Sequence, residues 1–335
     1  MNEVATIVPR LREANVPPER RGIARDAVRM LVTDRAKMSG GNEHVRFSDL
    51  PRFVNAGDVL VVNDSATMPA ALHARREEGE SLEIHISTML DPQLWIVEPR
   101  GSVFIGEELF LEDGARATLL AAVNPDLPRL WYARFVLPIP MQAFLAKFGE
   151  PIHYRHMTKR FPLSYFQTIF ARVPGSAEMP SAARPFTERT IRDLQRAGAT
   201  IASITLHCGV SSFETPERPG IERFTVSPEA VRTIASARAN GGRIIAVGTS
   251  VVRALESAVD GGKLIAASGW TDLVIEPESH LQVADALLTG FHEPTATHIG
   301  LVGAFVSKDC VKRVYEEAAE AGYEGHEFGD IHAIF

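Results

Sequence analysis

The sequence predicts an α/β fold in which a mixed sheet with flanking helices is interrupted by a small antiparallel β-barrel domain. Three observations predict it. Short apolar runs, Val59-Leu60-Val61-Val62 and Ile244-Ile245-Ala246-Val247, suit strands buried on both faces. From about residue 180 strand-like and helix-like segments alternate, as in sheets covered by helices. Between about 70 and 150, short runs follow one another at the spacing of a small barrel. The expected division is residues 1–70 as the first part of the α/β domain, 71–150 as an inserted barrel, and 151–335 as the second part.

Residues 1–17 read as a loose lead-in, and Val28 to Thr33 as a strand. Asp49 to Val54 is a short helical turn. The Val59–Val62 run ends in the polar turn Asn63-Asp64-Ser65. The barrel runs are Leu82–Ile86, Leu94–Val97, Glu108–Leu111, Ala117–Leu120 and Leu130–Phe135. Asp91-Pro92, Pro99-Arg100-Gly101, Asp113-Gly114 and Asn124-Pro125-Asp126 separate them. A helix from Pro140 to Phe148 closes the segment. Thr187 caps a helix running through Ala197, with Gly198 beyond its end. Ile201 to Leu206 is a strand leading into His207-Cys208-Gly209. Ser227 caps the helix Pro228 to Ala239, with Pro228 at its favoured first position. After the Ile244–Val247 strand, Gly248 permits a tight bend, and Thr249 or Ser250 caps the next helix. Leu273-Val274-Ile275, a loop around His292, and helices near Ala296–Ser307 and Asp309–Ala321 complete the chain.

The chain has 335 residues, 45% of them hydrophobic and 23% charged, as in an ordinary globular protein of two domains. No apolar run approaches a membrane span, so no membrane partner is expected. No secretory signal is read at Met1-Asn2-Glu3-Val4-Ala5, and the two cysteines, Cys208 and Cys310, fit a reducing cytoplasm. The net charge of −7 argues against nucleic-acid binding through the whole surface. Arg155, His156, Lys159 and Arg160, with Arg172 a little beyond, form a basic cluster that is either a solvated loop or a local phosphate-contacting face.

Three predicted strands end in polar, small-residue turns at Asn63, His207 and Gly248, and ligands in such sheets bind beyond the carboxyl ends of strands. Side by side, the turns form one crevice, and Pro174 to Ser181 can cover it. A helix starting at Gly248-Thr249-Ser250 points free N–H groups at an anion or electron-rich group. His207 is the best-placed ionisable side chain, as acid–base group or as a structural histidine bonding a neighbouring loop. Glu178 is a base, a hydroxyl acceptor or a solvated loop residue. Gly209-Val210-Ser211-Ser212-Phe213 lacks the second glycine of a nucleophile elbow. His153 to His156, His292-Glu293 and His326-Glu327 lack HExxH spacing and a cysteine pair, so no metal is expected. No Walker A sequence occurs, and no GxGxxG follows a strand. Trp270 and Phe291 either stack on a base or sulfonium or belong to the core.

Several segments in one order carry a resemblance. They are Gly57 to Ser65 with Pro69-Ala70, Tyr165 to Ala171, Pro174-Gly175-Ser176 through Pro180-Ser181-Ala182, and Thr205-Leu206-His207 with Gly209 and Phe213. Ile244 to Ser257, Phe291-His292-Glu293-Pro294 and Phe328-Gly329-Asp330 complete the set. From about Pro18 to its end the chain resembles the S-adenosylmethionine:tRNA ribosyltransferase-isomerase family. The resemblance implies an α/β domain interrupted by a small β-barrel, in agreement with the change of texture. It implies S-adenosylmethionine as co-substrate and an aminomethyl-deazaguanine in tRNA as acceptor. The ribosyl group is transferred to that base, and adenine and methionine leave. On this resemblance Glu178 and His207 are the expected acid–base pair. Asn63, Asp64, Ser65, Ser181 and Gly209 are expected to bind the substrate. Gly248, Thr249 and Ser250 are expected to hold the methionine carboxylate or ribose, beside Arg253 as an anion partner.

The departures cluster. Where the family usually has Pro-Thr-Ala-Gly-Leu-His-Phe, this chain has Pro180-Ser181-Ala182-Ala183-Arg184-Pro185-Phe186. The ring nitrogen of Pro185 is a tertiary amide and cannot replace the histidine's as acid, base or donor. Ala66 replaces a usual arginine, and the segment that normally carries Met-His-x-Glu is shortened to Ile221-Glu222-Arg223-Phe224-Thr225. Two other readings therefore stand beside transfer to tRNA: a paralogue acting on a non-tRNA acceptor, and a non-catalytic nucleoside-binding protein.

Overall fold

A nine-stranded mixed sheet forms the centre of the computed structural model, which describes residues 8–37, 41–211 and 218–335. Ser212, Phe213 and the first seven residues of the lead-in lie outside the described residues. Across the sheet the strands are Ala267–Thr271, Glu222–Val226, Thr200–Leu206, Val59–Asn63, Ile244–Val247, Ala286–Gly290, Ile331–Ile334, Arg29–Thr33 and Glu43–Arg46. Thr200–Leu206, Val59–Asn63, Ile244–Val247 and Ala286–Gly290 run parallel and form the middle. The strands beyond them introduce the antiparallel pairings.

The continuous apolar run Val59–Val62 follows from this position. Successive side chains of a strand point to opposite faces. Val59 and Val61 enter one core with the helices Pro228–Ala239, Thr249–Ser257, Thr297–Gly303 and Lys308–Glu320. Leu60 and Val62 enter the other, against Phe47, Phe186 and Leu194. A polar residue at any of these positions would be buried.

The barrel is closed and antiparallel, in the order Arg116–Ala122, Trp131–Val136, Leu94–Pro99, Ser81–Met89, Ala71–Arg75 and Glu108–Phe110. Inward residues alternate along its strands, and Ile84, Trp95, Val97, Leu119, Ala133 and Phe135 fill it. The chain leaves the large sheet through Ser65–Thr67, passes through the barrel, and returns as Val173–Ser176, which pairs in parallel with Ser65–Thr67. Departure and return thus share one two-stranded stem.

Thr187, Ser227 and Ser307 accept hydrogen bonds from Thr190, Ala230 and Cys310 as N-caps. Three sequence expectations are corrected. Thr249 and Ser250 do not cap their helix: Gly248 is the N-cap, at φ +103°, and no side chain caps that end. Leu273 to Ile275 is not a strand, because Glu222–Val226 pairs with Ala267–Thr271 instead. Ala71–Arg75, Glu43–Arg46 and Ile331–Ile334 are strands that the apolar patterning left unread. Among the described residues no helix is long and apolar enough to cross a membrane.

Candidate active site

The turns after Asn63, Leu206 and Val247 do lie side by side, because their strands are sheet neighbours. Asn63 stands between the other two and is fully buried. Its Oδ1 accepts from Leu206 N at 3.0 Å and Ser65 N at 3.1 Å. Its Nδ2 donates to Leu206 O at 2.8 Å and Ser250 Oγ at 3.2 Å. Asn63 is therefore committed to joining the three turns, not turned toward a ligand. Asp64 accepts from Thr205 Oγ1 at 2.6 Å, and its carbonyl receives Arg172 N and Val173 N.

Ser65, Ser176 and His207 form a second buried knot. Ser65 Oγ lies 2.6 Å from Ser176 Oγ and 2.8 Å from His207 Nδ1, and Cys208 N donates to Ser176 Oγ at 2.9 Å. A Cβ on Gly175 would sit 2.4 Å from His207 Nδ1, so only glycine lets the returning segment pass over the imidazole. Burial, and then Arg223, pull the His207 pKa below its ordinary value. His207 bonds Ser65 of the stem and is absent from the lining of the cleft.

The cleft itself, about 140 Å³, is lined by Glu178, Ser181, Gly248, Thr249, Ser250 and Arg253. Phe291, His292, Glu293, His298, His326 and Glu327 complete the lining. A second cavity of about 160 Å³ adjoins it across Ser211, Glu222, Arg253 and His298. Ser87, Thr88, Arg129 and Tyr132 of the barrel form its far wall, and Gly209 lies in it. Neither cavity alone reaches the ~300 Å³ at the lower end of small-molecule sites, but the two joined do. A Cβ on Gly209 would meet Ser87 Oγ at 2.9 Å, so glycine lets this turn reach the barrel.

Glu178 comes from the loop after Val173–Ser176 and accepts from Ser211 N at 3.0 Å. Burial, and then the Glu327 carboxylate, push its pKa up to about 8. Near neutral pH it holds a proton that a nearby positive charge would release. Burial, and then Glu178 and Glu327, raise the Tyr154 hydroxyl well above its usual value. Across the cleft His292 and His298 stack at 4.5 Å. Burial, and then Arg253, push His298 down to about 4, so its ring is neutral.

Arg253 is not a free anion partner. It is paired with Glu222, and its Nε donates to Leu273 O at 2.9 Å. The other Glu222 oxygen accepts from Gly209 N at 2.8 Å. Glu222, Glu327, His292 and His298 line the site, though none was assigned a site role from sequence. Glu222 stands in an altered family segment, His292 in a family motif, and His292 and Glu327 in pairs read only as unsuited to a metal. His298 carried no signal, because only the folded chain brings it to the others.

Two departures find physical explanations. Arg184 is buried, bonds Glu19 at 2.9 Å and Tyr165 O at 3.1 Å, and lies 4.8 Å over the Phe328 ring. Pro185 is buried beside it. In the basic cluster, Arg160 is taken up by Glu150 at 2.6 Å and Glu83 at 3.2 Å, and Lys159 lies over Phe161. Trp270 is 44% exposed on the edge strand, outside the cleft lining.

A family model described as queuosine biosynthesis protein matches residues 7–334. The S-adenosylmethionine:tRNA ribosyltransferase-isomerase of Moorella thermoacetica is 37% identical over 322 residues, covering 92% of this chain and 93% of that protein. The protein of the same name from Symbiobacterium thermophilum is 36% identical, with the same coverage of both chains. A crystal structure of S-adenosylmethionine tRNA ribosyltransferase from Thermotoga maritima matches with a TM-score of 0.53 and 28% identity, over 98% of this chain and 97% of that one. The mixed sheet with its closed barrel, the ordered series of motifs and these relatives lead to one conclusion: the chain belongs to the queuosine biosynthesis protein family.

Proposed function

We propose that this chain transfers and isomerises the ribosyl moiety of S-adenosylmethionine onto 7-aminomethyl-7-deazaguanine in tRNA, releasing adenine and methionine. Its relatives carry the name of that reaction over nearly their whole length. The observation that carries the reading in this chain is the buried Glu178, its carboxyl pushed up to about 8 by burial and by Glu327, in a cleft at the ends of parallel strands. S-adenosylmethionine brings a sulfonium, and a positive charge near a carboxyl favours its ionised form. Binding thus converts Glu178 from acid to carboxylate where a base is needed. The sulfonium acidifies the adjacent 5′ carbon, and Glu178 takes a proton from it. Adenine then leaves with the glycosidic electron pair and takes up a proton, the acceptor's amine forms the new C–N bond to the sugar and loses a proton, and methionine leaves with the electron pair of its C–S bond as the sugar's own oxygen closes onto that carbon.

Past the Gly248 bend, whose own N–H donates to Leu288 O at 2.8 Å, the uncapped helix start offers the N–H groups of Thr249 and Ser250 to the methionine carboxylate or ribose, beside Ser181. Arg253 acts through Glu222 to fix the wall between the cavities. Gly209 and the barrel face of the second cavity receive the acceptor. Asn63, Asp64, Ser65 and His207 serve from behind, by setting the height of the turns. The inserted barrel spans residues 71–150, with α/β segments before and after it.

The buried Arg184-Pro185 and the neutralised Arg160 favour a second reading, a paralogue acting on a non-tRNA acceptor. Incubation with S-adenosylmethionine, with and without tRNA bearing the deazaguanine precursor, separates the two. Adenine release that requires the tRNA is the expected result. Release without tRNA, or with a small acceptor alone, would overturn the tRNA assignment.

A further inference from the structure

Three segments distant in sequence meet beside the cleft. The short strand Arg12–Glu13 pairs in parallel with Glu324–Gly325, which brings Glu13 to His326. His156 arrives from the loop that follows the barrel, and its ring stacks on His326 at 4.5 Å. We propose that Glu13, His156 and His326 form a binding site for a divalent transition-metal ion of the zinc class.

The donor set has the right chemistry: imidazole nitrogens and a carboxylate oxygen are borderline ligands that suit zinc. One donor atom from each residue lies within 4.8 Å of the others. His326 Nε2 and Glu13 Oε1 are 3.7 Å apart. Ligands on a tetrahedral zinc, with bonds of about 2.0–2.2 Å, stand roughly 3.4 Å apart. Small side-chain movements therefore close the triad on an ion. Both imidazoles are 7% exposed and Glu13 is 29% exposed, so the site is enclosed with one side open to solvent.

A second observation points to a missing ligand. His156 Nε2 and Glu327 Oε2 are buried and face each other at 3.3 Å as an ion pair, but neither atom makes a well-formed hydrogen bond. Buried polar atoms in folded proteins are almost always satisfied. An ion bound at the His156 imidazole would give it a direct bond in place of that long contact, with the Glu327 carboxylate beside it. The charge around the site agrees. Glu293 lies 2.9 Å from His326 Nε2, and Arg10 is shared between Glu13 and Glu293. Three carboxylates, Glu13, Glu293 and Glu327, thus gather on two imidazoles and one guanidinium. His326 also adopts φ +68°, a left-handed conformation uncommon for a side-chain-bearing residue. The ion would tie the lead-in and the post-barrel loop to the C-terminal segment whose Glu327 faces the cleft. Sequence spacing excluded a metal because no two of these ligands are local neighbours.

The proposal stands whatever the cleft binds, and its test reads metal rather than turnover. The full-length chain, tag-free and dialysed against chelator and then buffer, is titrated with Co2+ and with Zn2+. Uptake of one ion per chain, with a visible Co2+ band of imidazole coordination that Zn2+ displaces, is expected. His156→Ala and His326→Ala should each weaken binding at least about tenfold. Zn2+ should raise the melting temperature of the native chain and not of these variants. A native chain that takes up no Co2+ and gains no thermal stability from Zn2+ overturns the site, and this outcome needs no variant to fold. Unchanged affinity in folded His156→Ala and His326→Ala proteins overturns it equally.

Discussion

Glu222 holds Arg253 with one carboxylate oxygen and the Gly209 amide, at 2.8 Å, with the other. One side chain thereby joins the helix after the Gly248 bend to the turn that touches the barrel. Removing one partner of a buried ion pair leaves the other charge uncompensated and costs about 3–5 kcal/mol. Glu222→Ala should lose about that much in urea unfolding. The double variant Glu222→Met/Arg253→Met should recover most of it while binding S-adenosylmethionine poorly. Additive losses in the double variant would show that the pair is not the unit.

Glu178 makes stability fall with pH. Its carboxyl titrates near 4.5 in an ordinary setting and near about 8 in the fold. Between those values the folded state holds a proton that the unfolded chain has released. Stability therefore declines as pH rises through that window and levels off above it. Glu178→Gln should remove this part of the slope, as read from urea midpoints between about pH 5 and 9. An identical slope in the variant would count against the raised carboxyl.

The same residue predicts proton release on ligand binding. A sulfonium beside Glu178 favours the carboxylate, so S-adenosylmethionine near neutral pH should expel up to one proton. Calorimetry in buffers of different ionisation enthalpy measures it. Glu178→Gln should bind without the release and should not liberate adenine.

His207 should prove structural. Gly175→Ala drives a methyl group into the imidazole and should cost about 1–3 kcal/mol by overpacking. Adding His207→Ala should relieve the clash, so the double variant is more stable than the sum of the two losses. His207→Ala alone should still bind S-adenosylmethionine. Loss of adenine release with stability and binding intact would return His207 to the chemistry.

Asn63→Ala strands Leu206 N and Leu206 O, both of which now bond to its side chain. Each buried polar group left unpaired costs about 1–3 kcal/mol. The variant should unfold at lower urea and bind S-adenosylmethionine more weakly, because the three turns lose their common anchor.

Local signals read well in this chain. Apolar runs marked the doubly buried strands, Ser/Thr-Pro and Gly marked helix ends, and regular turn spacing marked five of the six barrel strands. Ala71–Arg75 escaped because alanine and arginine carry little strand preference. Residue type at Gly248-Thr249-Ser250 favours Thr249 or Ser250 as the cap, yet the backbone turns one residue earlier and Ser250 Oγ is occupied by Asn63. The site was legible as three turns but not as a lining. Whether Asn63 faces a ligand or its neighbours depends on Leu206 and Ser250, which are far away along the chain. The pairing of Glu222 with Arg253 and the meeting of Glu13, His156 and His326 are long-range, and no periodicity encodes them.

The stem of Ser65–Thr67 and Val173–Ser176 has a consequence in polymer terms. Because the chain departs and returns at one place, everything between is a closed excursion, joined to the large sheet by covalent bonds only at its two ends and otherwise by side contacts such as that of Ser87 with Val210 N. Closure entropy grows with the logarithm of contour length, so each doubling of such an excursion adds only about 0.6 kcal/mol. Lengthened hairpins or an added element in the Thr67-to-Val173 excursion should therefore be tolerated thermodynamically, leaving the sheet free to persist while the inserted module diverges.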